Sequence, residues 1–351
     1  MSSTTIDGLN SLTRLLLLPL LLLLLLVLLL LLGSVPLEPG VVLGALVGNE
    51  VDETARTIVL DFRLPRGITA SLAGAALAVS GLLMQSYFRN PLAGPGVLGV
   101  TSGAGLAVAA AVLVGAAGFG YRGSEAALSG LATSGAAIVG ASLVLGLILL
   151  VSRFISSPTT LLVLGVLFGY ASSALVTLLM AGSSAESLQR YIRWSYGSFD
   201  VPLGTVTGAL AVLLLASFLL LQLLGPQLDA LLLGPRYARS SGVAVSRLTP
   251  VLLLVAGALT GLTTSLCGPV AFLGVAVPHL ARLYLGSSQH RLVLPATLLL
   301  GAILAVSADI ISHLPGVPGV LPINAVTALI GVPVVIGVLM RPAGGRREIA
   351  L

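Results

Sequence analysis

The sequence contains no lysine, and charged residues of all kinds make up only 8% of its 351 residues. Soluble globular domains carry about 25% charged residues. All 17 basic residues are arginine. A Walker A motif needs a lysine to reach the nucleotide phosphates, so this chain has no such motif. If ATP drives this protein, another chain must bind the nucleotide.

Residues that could carry chemistry are also scarce. The one cysteine, Cys267, excludes a disulfide within the chain and a multi-cysteine metal site. Away from the ends of the apolar stretches, the ionisable residues are His279 and Asp309. We expect His279 to be neutral and bonded to a nearby carbonyl. We expect Asp309 to be an interfacial residue that water can reach. No paired carboxylates, nucleophile–base pair or metal-ligand cluster is evident, so we predict no catalytic residue, metal or cofactor, and no nucleic-acid partner.

Hydrophobic residues, in contrast, make up 57% of the chain, and the mean hydropathy is +1.11. The first long apolar run, 15–32, is nearly all leucine. It exceeds the usual apolar core of a cleaved signal peptide, about 7–15 residues, so we interpret it as a retained first span. The sequence predicts an all-α polytopic membrane protein with about ten transmembrane helices in a compact bundle. The apolar stretches are 15–32, 67–87, 96–117, 127–151, 160–181, 203–225, 248–264, 269–286, 292–312 and 322–340.

Arginine bias predicts how the bundle is oriented. With ten spans both termini share a side, and that side receives eleven of the 17 arginines. Loops rich in arginine face the cytoplasm, so we predict cytoplasmic termini. The chain is then a single transmembrane domain, 1–351, in the lipid bilayer. It has a cytoplasmic N-terminal segment at 1–14, a cytoplasmic loop at 226–247 and a cytoplasmic tail at 341–351.

Four ordered stretches resemble the permease subunits of type II ABC importers, the FecCD family. The first is the opening segment, with "RLPR" at 63–66, "GAALAVSG" at 74–81 and "RNPLAGPGVLG" at 89–99. The others are "LLLGPRYARSSGVAVSRL" at 231–248, "GPVAFLGVAVPHLARLYLG" at 268–286 and the weaker "LPINAVTALIGVPVVIGVLMR" at 321–341. The "RNP" at 89–91 also predicts a firm end to the second span, because proline cannot continue helical hydrogen bonding. The resemblance covers about residues 40–341. It implies a homodimer, ATP-binding subunits on the cytoplasmic face and a substrate-binding protein on the external face. ATP hydrolysis is expected in the partner subunits, so the chain itself is not an enzyme.

The resemblance implies a docking role for three residues at the external face. In the family, the arginines of the "RLPR" element, here Arg63 and Arg66, face carboxylates of the binding protein. His313 stands where the family often has arginine, which replaces a fixed cation by a titratable one. The alternative for Arg63 and Arg66 is that they only reach towards lipid headgroups.

A second set of residues lies in the longest cytoplasmic loop. Gly234 and Gly242 bracket "PRYARSS", which predicts a short helix between two turns. By resemblance, this segment couples the bundle to the ATPase. Ala238 is expected to pack closely against that partner, and Arg236 and Arg239 to meet its acidic groups. The family commonly has acidic residues where Pro235-Arg236 stand, so the partner's surface charge is expected to differ.

These observations predict the permease subunit of an ATP-driven importer for a metal chelate, in the inner membrane of a bacterium. The family carries iron–siderophores, haem and cobalamin, and ferric siderophore is the first candidate. The alternative is a stand-alone secondary transporter or channel. Genes for an ATPase and a binding protein beside this one would favour the importer, whereas an isolated gene would favour the alternative.

Overall fold

The computed structural model describes residues 3–33, 35–114, 130–155, 157–314 and 319–340. Within these ranges the regular structure is helical, which confirms the predicted all-α fold class. The predicted tail at 341–351 lies outside them, as do the end of the stretch 96–117 and the start of 127–151.

Fifteen α-helices are numbered here in chain order. They are α1 Ser3–Leu31, α2 Pro39–Val47, α3 Glu53–Thr57, α4 Leu64–Phe88, α5 Val100–Ala109, α6 Gly130–Val151, α7 Pro158–Ala181, α8 Ala185–Ser195, α9 Thr205–Leu223, α10 Gly225–Leu232, α11 Pro235–Ser240, α12 Val245–Cys267, α13 Leu273–Leu285, α14 His290–Ser312 and α15 Ile323–Leu339. Two π-helical segments, Ile58–Arg63 and Ala110–Val114, lead into α4 and continue α5.

Each predicted apolar stretch coincides with one of these helices. In the described ranges, seven helices are long and apolar enough to cross a membrane. Three shorter apolar helices, Val100–Val114, Leu273–Leu285 and Ile323–Gly337, lie at the other predicted stretches. The polytopic architecture is therefore confirmed, whereas the number of spans and the side of the termini stay predictions.

Helix α4 is the centre of the bundle, and most of its residues are buried. It packs against α12, α13 and α14. Gly74 meets Gly301 of α14, where a Cβ on either glycine would overlap the carbonyl oxygen of the other. Small residues at helix crossings let the backbones approach closely. Gly204 and Gly208 are four residues apart, a spacing typical of close helix crossings. Among the described residues, however, nothing lies within 4 Å of a Cβ placed on either glycine, so this pair forms no such contact there.

The end of α4 follows the sequence prediction. The helix stops at Phe88, and Arg89 adopts a left-handed conformation with φ of 47°. Asn90 then accepts a hydrogen bond from the backbone N–H of Leu92. Because Pro91 cannot donate a backbone hydrogen bond, "RNP" is a helix terminator, as expected.

The helices run between two ends of the bundle. The Arg66 end holds the start of α4 and the ends of α12 and α14, and it is the end predicted to be external. The Gly234 end holds the short helix α11 and is predicted to be cytoplasmic. Helix α1 is fixed to both ends: Arg63 donates to the carbonyl oxygens of Leu30 and Val35, and Arg14 donates to that of Tyr284.

Candidate functional site

An ion pair joins the start of α4 to the end of α14. The Arg66 Nε atom lies 2.8 Å from Asp309 Oδ2. The side chain of Arg66 is 9% exposed, and that of Asp309 is 0% exposed. Two charges in a core are tolerated when they pair, since each alone would carry a large desolvation cost. This contact is the best-defined polar feature of the Arg66 end.

The burial of Asp309 corrects one expectation. From its place near the end of an apolar stretch, Asp309 was expected to meet water, but its side chain has no exposed surface. The reason is that Arg66 and His313 cover it. His313 follows one helical turn later, with its Nδ1 atom 3.5 Å from Asp309 Oδ1.

Asp200, in the loop before α9, completes a cluster of four residues that we call the Arg66 cluster: Arg66, Asp200, Asp309 and His313. Asp200 Oδ1 lies 3.6 Å from Arg66 Nη1, and Asp200 Oδ2 lies 3.4 Å from His313 Nε2. The side chain of Asp200 is 44% exposed, whereas those of Arg66 and His313 are each 9% exposed. Asp200 is therefore the member of the cluster that solvent reaches.

The pKa values of the two residues outside the helices shift in opposite directions. Burial raises the pKa of Asp200, but the hydrogen bond from His313 and the positive charges of His313 and Arg66 outweigh burial and lower it. Burial lowers the pKa of His313, but the hydrogen bond to Asp200 and the charge of Asp309 outweigh burial and raise it. Both shifts favour the charged forms of Asp200 and His313.

The three residues with a predicted docking role are thus not free surface cations. Arg66 and His313 belong to the Arg66 cluster. Arg63 is 3% exposed and points to the end of α1, so it is not part of the cluster. Docking of a binding protein at these residues stays a prediction. No local pattern indicates a role for Asp200, which is far from the other members along the chain.

At the Gly234 end, the predicted short helix is confirmed as α11. Gly234 and Gly242 flank it with positive φ angles of 113° and 84°. Only residues that tolerate positive φ suit such positions, which explains both glycines. The helix exposes Arg236, Tyr237 and Arg239.

Ala238 has a different environment from the one expected. It is 0% exposed, so its methyl group packs α11 onto its own chain. A contact between Ala238 and an ATPase would require α11 to rotate about its axis and expose this residue. The exposed side chains of α11 are therefore the ones available to a partner. Next to them, a cavity of about 530 Å³ is lined by Arg89, Arg153 and Arg239, so its charge is basic.

A second polar group near the Gly234 end was missed entirely. His290 Nδ1 lies 2.7 Å from Asp229 Oδ1, and His290 Nε2 lies 2.8 Å from Ser86 Oγ. The sequence prediction that the chain has no nucleophile–base pair is wrong, because the structure places a serine, a histidine and an aspartate within hydrogen-bond distance of one another. However, Ser86 and His290 are buried, and neither lines a described cavity. The group therefore joins α4, α10 and α14 inside the bundle.

Two further expectations can be compared with the structure. His279 Nε2 lies 2.7 Å from the carbonyl oxygen of Pro91, which confirms the predicted carbonyl partner. Cys267 is buried at the last position of α12. In the ranges given above, no three His, Cys, Asp or Glu side chains are grouped so that they could hold a metal ion.

Asn324, at the start of α15, is another residue whose role the sequence did not indicate. Its amide nitrogen donates to the carbonyl oxygen of Ser195, at 3.0 Å. Its amide oxygen accepts from the backbone N–H of Ala271, at 3.0 Å. A single side chain thus ties α8 and the loop before α13 to α15 at the Arg66 end.

Comparison with known proteins gives a consistent result. Residues 21–341 match the FecCD transport family. The vitamin B12 import system permease protein of Klebsiella pneumoniae subsp. pneumoniae is 36% identical over 298 residues, which are 85% of this chain and 86% of the relative. The protein of the same name from Salmonella typhi is 36% identical over 299 residues, 84% of this chain and 87% of the relative.

A solved structure shares the fold. It is an inward-facing conformation of a metal-chelate type ABC transporter, and it superposes with a TM-score of 0.79 at 29% identity. The match covers 93% of this chain and 98% of that one.

Proposed function

The chain belongs to the FecCD transport family, and on this premise we propose that it is the membrane-spanning permease subunit of an ATP-driven importer of a metal chelate. The family match over 21–341 carries this proposal. It is supported by relatives that are vitamin B12 import permeases and by the fold shared with a metal-chelate type transporter. Energy comes from partner subunits, since the chain has no lysine and so no Walker A motif.

The proposed cargo is a metal chelate of one of three classes: ferric siderophore, haem or cobalamin. Ferric siderophore is the first candidate from the sequence resemblance, and haem is another. Cobalamin gains support from the names of the relatives.

The proposed assembly contains two copies of the chain around a central path. One observation supports the proposal that one face of α7 contacts a second copy or water and not lipid. Tyr170 is 72% exposed near the middle of this helix, and Ser173 and Thr177 are also exposed. Residues three and four apart share one side of a helix, so the three form a polar stripe. Polar groups are costly against lipid, and a second copy or a water-filled path would relieve that cost.

At the Gly234 end, an ATP-binding subunit would dock on α11 through Arg236, Tyr237 and Arg239. The packing around α11 supports transmission of movement from that site. The neighbouring helix α10 carries Asp229, which is bonded to His290 at the start of α14. Helix α14 is in turn joined to α4 at both ends, by Ser86–His290 and by Arg66–Asp309. The two helices would therefore move as one rigid unit between the two partner sites.

At the Arg66 end, a binding protein would dock by exchange of ion pairs. A carboxylate of the incoming protein would replace Asp200 beside Arg66 and His313. The half-exposed position of Asp200 and its long contacts, 3.6 and 3.4 Å, support this exchange. Arg63 would act indirectly, because its side chain holds the end of α1.

The topology completes the proposal. The chain would be a single permease domain with ten spans and cytoplasmic termini, and 226–247 would be its main cytoplasmic loop. Its location would be the bacterial inner membrane, which it crosses several times.

The substrate class is tested by uptake into proteoliposomes that contain the permease with its ATPase and its binding protein. The labelled cargoes are a ferric trihydroxamate, a ferric tris-catecholate, haem and cyanocobalamin. We expect ATP-dependent accumulation of one class of chelate. Accumulation of none of them by a complex whose ATPase is active would contradict the metal-chelate proposal.

A further inference from the structure

A cavity of about 590 Å³ lies next to the Arg66 cluster, with which it shares Asp200. Its wall is built from the end of α8, the start of α9 and the loop between them, together with residues of α6 and α12. A molecule delivered at the Arg66 end would therefore meet the cavity close to the proposed docking site.

Two arginines line the cavity from the exposed side of α8. Arg190 and Arg193 are three residues apart on this helix, so their side chains share one face. Among the described residues, neither forms an ion pair with a carboxylate. Asp200, the acidic residue of the cavity wall, is already paired with Arg66 and His313. Arg190 and Arg193 thus present two positive charges to the cavity, and neither has an ion-pair partner among the described residues.

The same wall contains two hydrogen-bonding groups that lack partners. Thr207 is 4% exposed, and its hydroxyl has no hydrogen-bond partner. The indole N–H of Trp194 is enclosed and also lacks a partner. A buried donor without a hydrogen-bond partner destabilises the protein, because it has lost its contact with water. An indole N–H can only donate, and a threonine hydroxyl can donate as well, so a ligand that supplies acceptor oxygens would satisfy both.

Contacts with the rest of the chain hold α8 in place, so this part of the cavity wall is preorganised. Ser187 and Tyr191 bury the opposite side of the helix. At its end, the carbonyl oxygen of Ser195 accepts the hydrogen bond from Asn324. Arg190 and Arg193 therefore project from a helix that is held on one side and at one end.

We infer that this cavity binds an anionic metal chelate, one whose outer surface carries carboxylate or catecholate oxygens. The inference rests on the proposed function and narrows its substrate class. Arginine guanidinium groups pair with such oxygens through strong, charge-assisted hydrogen bonds. A neutral chelate would leave both arginines without a counter-charge. The cavity thus selects for negative charge on the chelate at the point where it enters the permease.

The chain carries its own reporter for this site, because Trp194 is its only tryptophan. The experiment follows Trp194 fluorescence of the purified permease in phosphatidylcholine nanodiscs. Gallium(III) citrate, an anionic complex, is titrated against gallium(III) tris(acetohydroxamate), a neutral one. Gallium replaces iron because ferric complexes quench fluorescence without binding. We expect a saturable change with the citrate complex and none with the hydroxamate complex.

Matched variants locate the binding. Arg190→Gln and Arg193→Gln should each weaken citrate-complex binding at least about tenfold, which corresponds to about 1.4 kcal/mol, because each removes a charge-assisted hydrogen bond. Arg56→Gln removes the same charge from an exposed residue that does not line the cavity, and it should leave binding unchanged.

Three results would overturn the inference. The first is an equal response to both gallium complexes, and the second is no response to either. The third is a response to phosphatidylglycerol in the nanodisc and none to citrate, which would assign the arginines to lipid headgroups. The proposed function is tested separately by ATP-driven uptake. Uptake with an unchanged KM for an anionic chelate in the double Arg190→Gln/Arg193→Gln variant would contradict the anion site and leave the permease function standing.

Discussion

Arg66 in the first turn of α4 and Asp309 in the last turn of α14 form a buried ion pair with a separation of 2.8 Å. The same two helices are joined at their other ends by Ser86 and His290, at 2.8 Å. Between these contacts, Gly74 and Gly301 bring the two backbones together. Helices α4 and α14 therefore form one unit that extends from the Arg66 end to the Gly234 end.

Breaking the buried ion pair on one side should strongly destabilise the protein. Arg66→Met leaves buried Asp309 with only the longer contact to His313, and Asp309→Leu leaves Arg66 with only the longer contact to half-exposed Asp200. Removing one partner of a buried pair costs about 3–5 kcal/mol. The double variant should cost less than the sum of the singles, because no unpaired charge remains. Thermal unfolding in detergent measures this, with exposed Arg56→Met as the control. Strictly additive losses would contradict the pairing.

The contact between His313 and Asp200 should make stability depend on pH. The raised pKa of His313 means that its contribution is present below the ordinary value of about 6.5 and is lost as pH rises through the raised value. The lowered pKa of Asp200 means that its contribution is present above about 3.9 and is lost as pH falls through the lowered value.

The measurement is the difference in melting temperature between the wild type and His313→Gln as a function of pH. We expect the wild-type advantage to be largest in mildly acidic buffer and to disappear in alkaline buffer. In the Asp200→Asn background the advantage should shrink throughout. A difference that is the same at every pH would show that His313 does not pair as a cation.

Docking by ion-pair exchange makes an unusual prediction for Asp200. If Asp200 competes with carboxylates of the binding protein, Asp200→Asn should strengthen docking. The gain should be at most about fivefold, because partly exposed ion pairs are worth roughly 0.2–1 kcal/mol. It should shrink as salt rises. Titration of the binding protein onto the reconstituted transporter gives the affinity.

The control for docking is Glu53→Gln, which removes the same charge from an exposed residue before α4. Weaker docking in Asp200→Asn would mean that Asp200 helps to hold the partner, and the exchange scheme would fail. Arg66→Glu is a poorer test, because it places a second carboxylate against buried Asp309 and so disturbs folding.

The sequence predicted the helices well but not the contacts between distant residues. Apolar stretches of sufficient length predict helices in a membrane protein, because an open backbone is not tolerated in lipid. The glycines at 234 and 242 and the "RNP" terminator are local signals, and the structure confirms both. In contrast, Arg66, Asp200 and Asp309 come from three distant parts of the chain.

The sequence also did not predict which individual side chains are buried. Arg282 is one of the eleven arginines assigned to the cytoplasmic side, yet it is 6% exposed and donates to Gln85 on α4. Ala238 was expected at a partner surface and is buried in its own chain. In both cases the type of residue was informative, whereas the face it presents depends on tertiary packing that no local pattern encodes.

The exposed arginines of α11 should carry the contact with the ATP-binding subunit. Arg236→Glu and Arg239→Glu should each weaken association with the ATPase about tenfold or more, because close interfacial charge pairs couple by about 1.5–7 kcal/mol. Arg291→Glu makes the same charge change in the first turn of α14, outside 234–242, and should have little effect. Co-purification and substrate-stimulated ATPase activity measure this. Equal losses in all three variants would indicate a general charge effect.

The buried Ser86–His290–Asp229 group should be structural. Ser86→Ala removes the hydrogen-bond contacts of the hydroxyl with His290 and with the carbonyl oxygen of Leu82, each worth about 1 kcal/mol. It should leave ATP-driven uptake close to the wild-type rate once the protein is folded. Asp229→Asn should disturb the protein more, because Asp229 accepts from both the ring and the backbone N–H of His290. Loss of transport in well-folded Ser86→Ala would show that this hydroxyl takes part in the transport cycle.

The most direct test of the account is whether transport depends on ATP bound by other chains. The permease is reconstituted with its ATPase and its binding protein, and chelate uptake is measured with and without ATP on the ATPase side. We predict uptake only with ATP, and none when the ATPase carries an inactive Walker A lysine. Uptake by the permease alone, driven by a proton or sodium gradient without the ATPase, would contradict the assignment as the permease subunit of an ATP-driven importer.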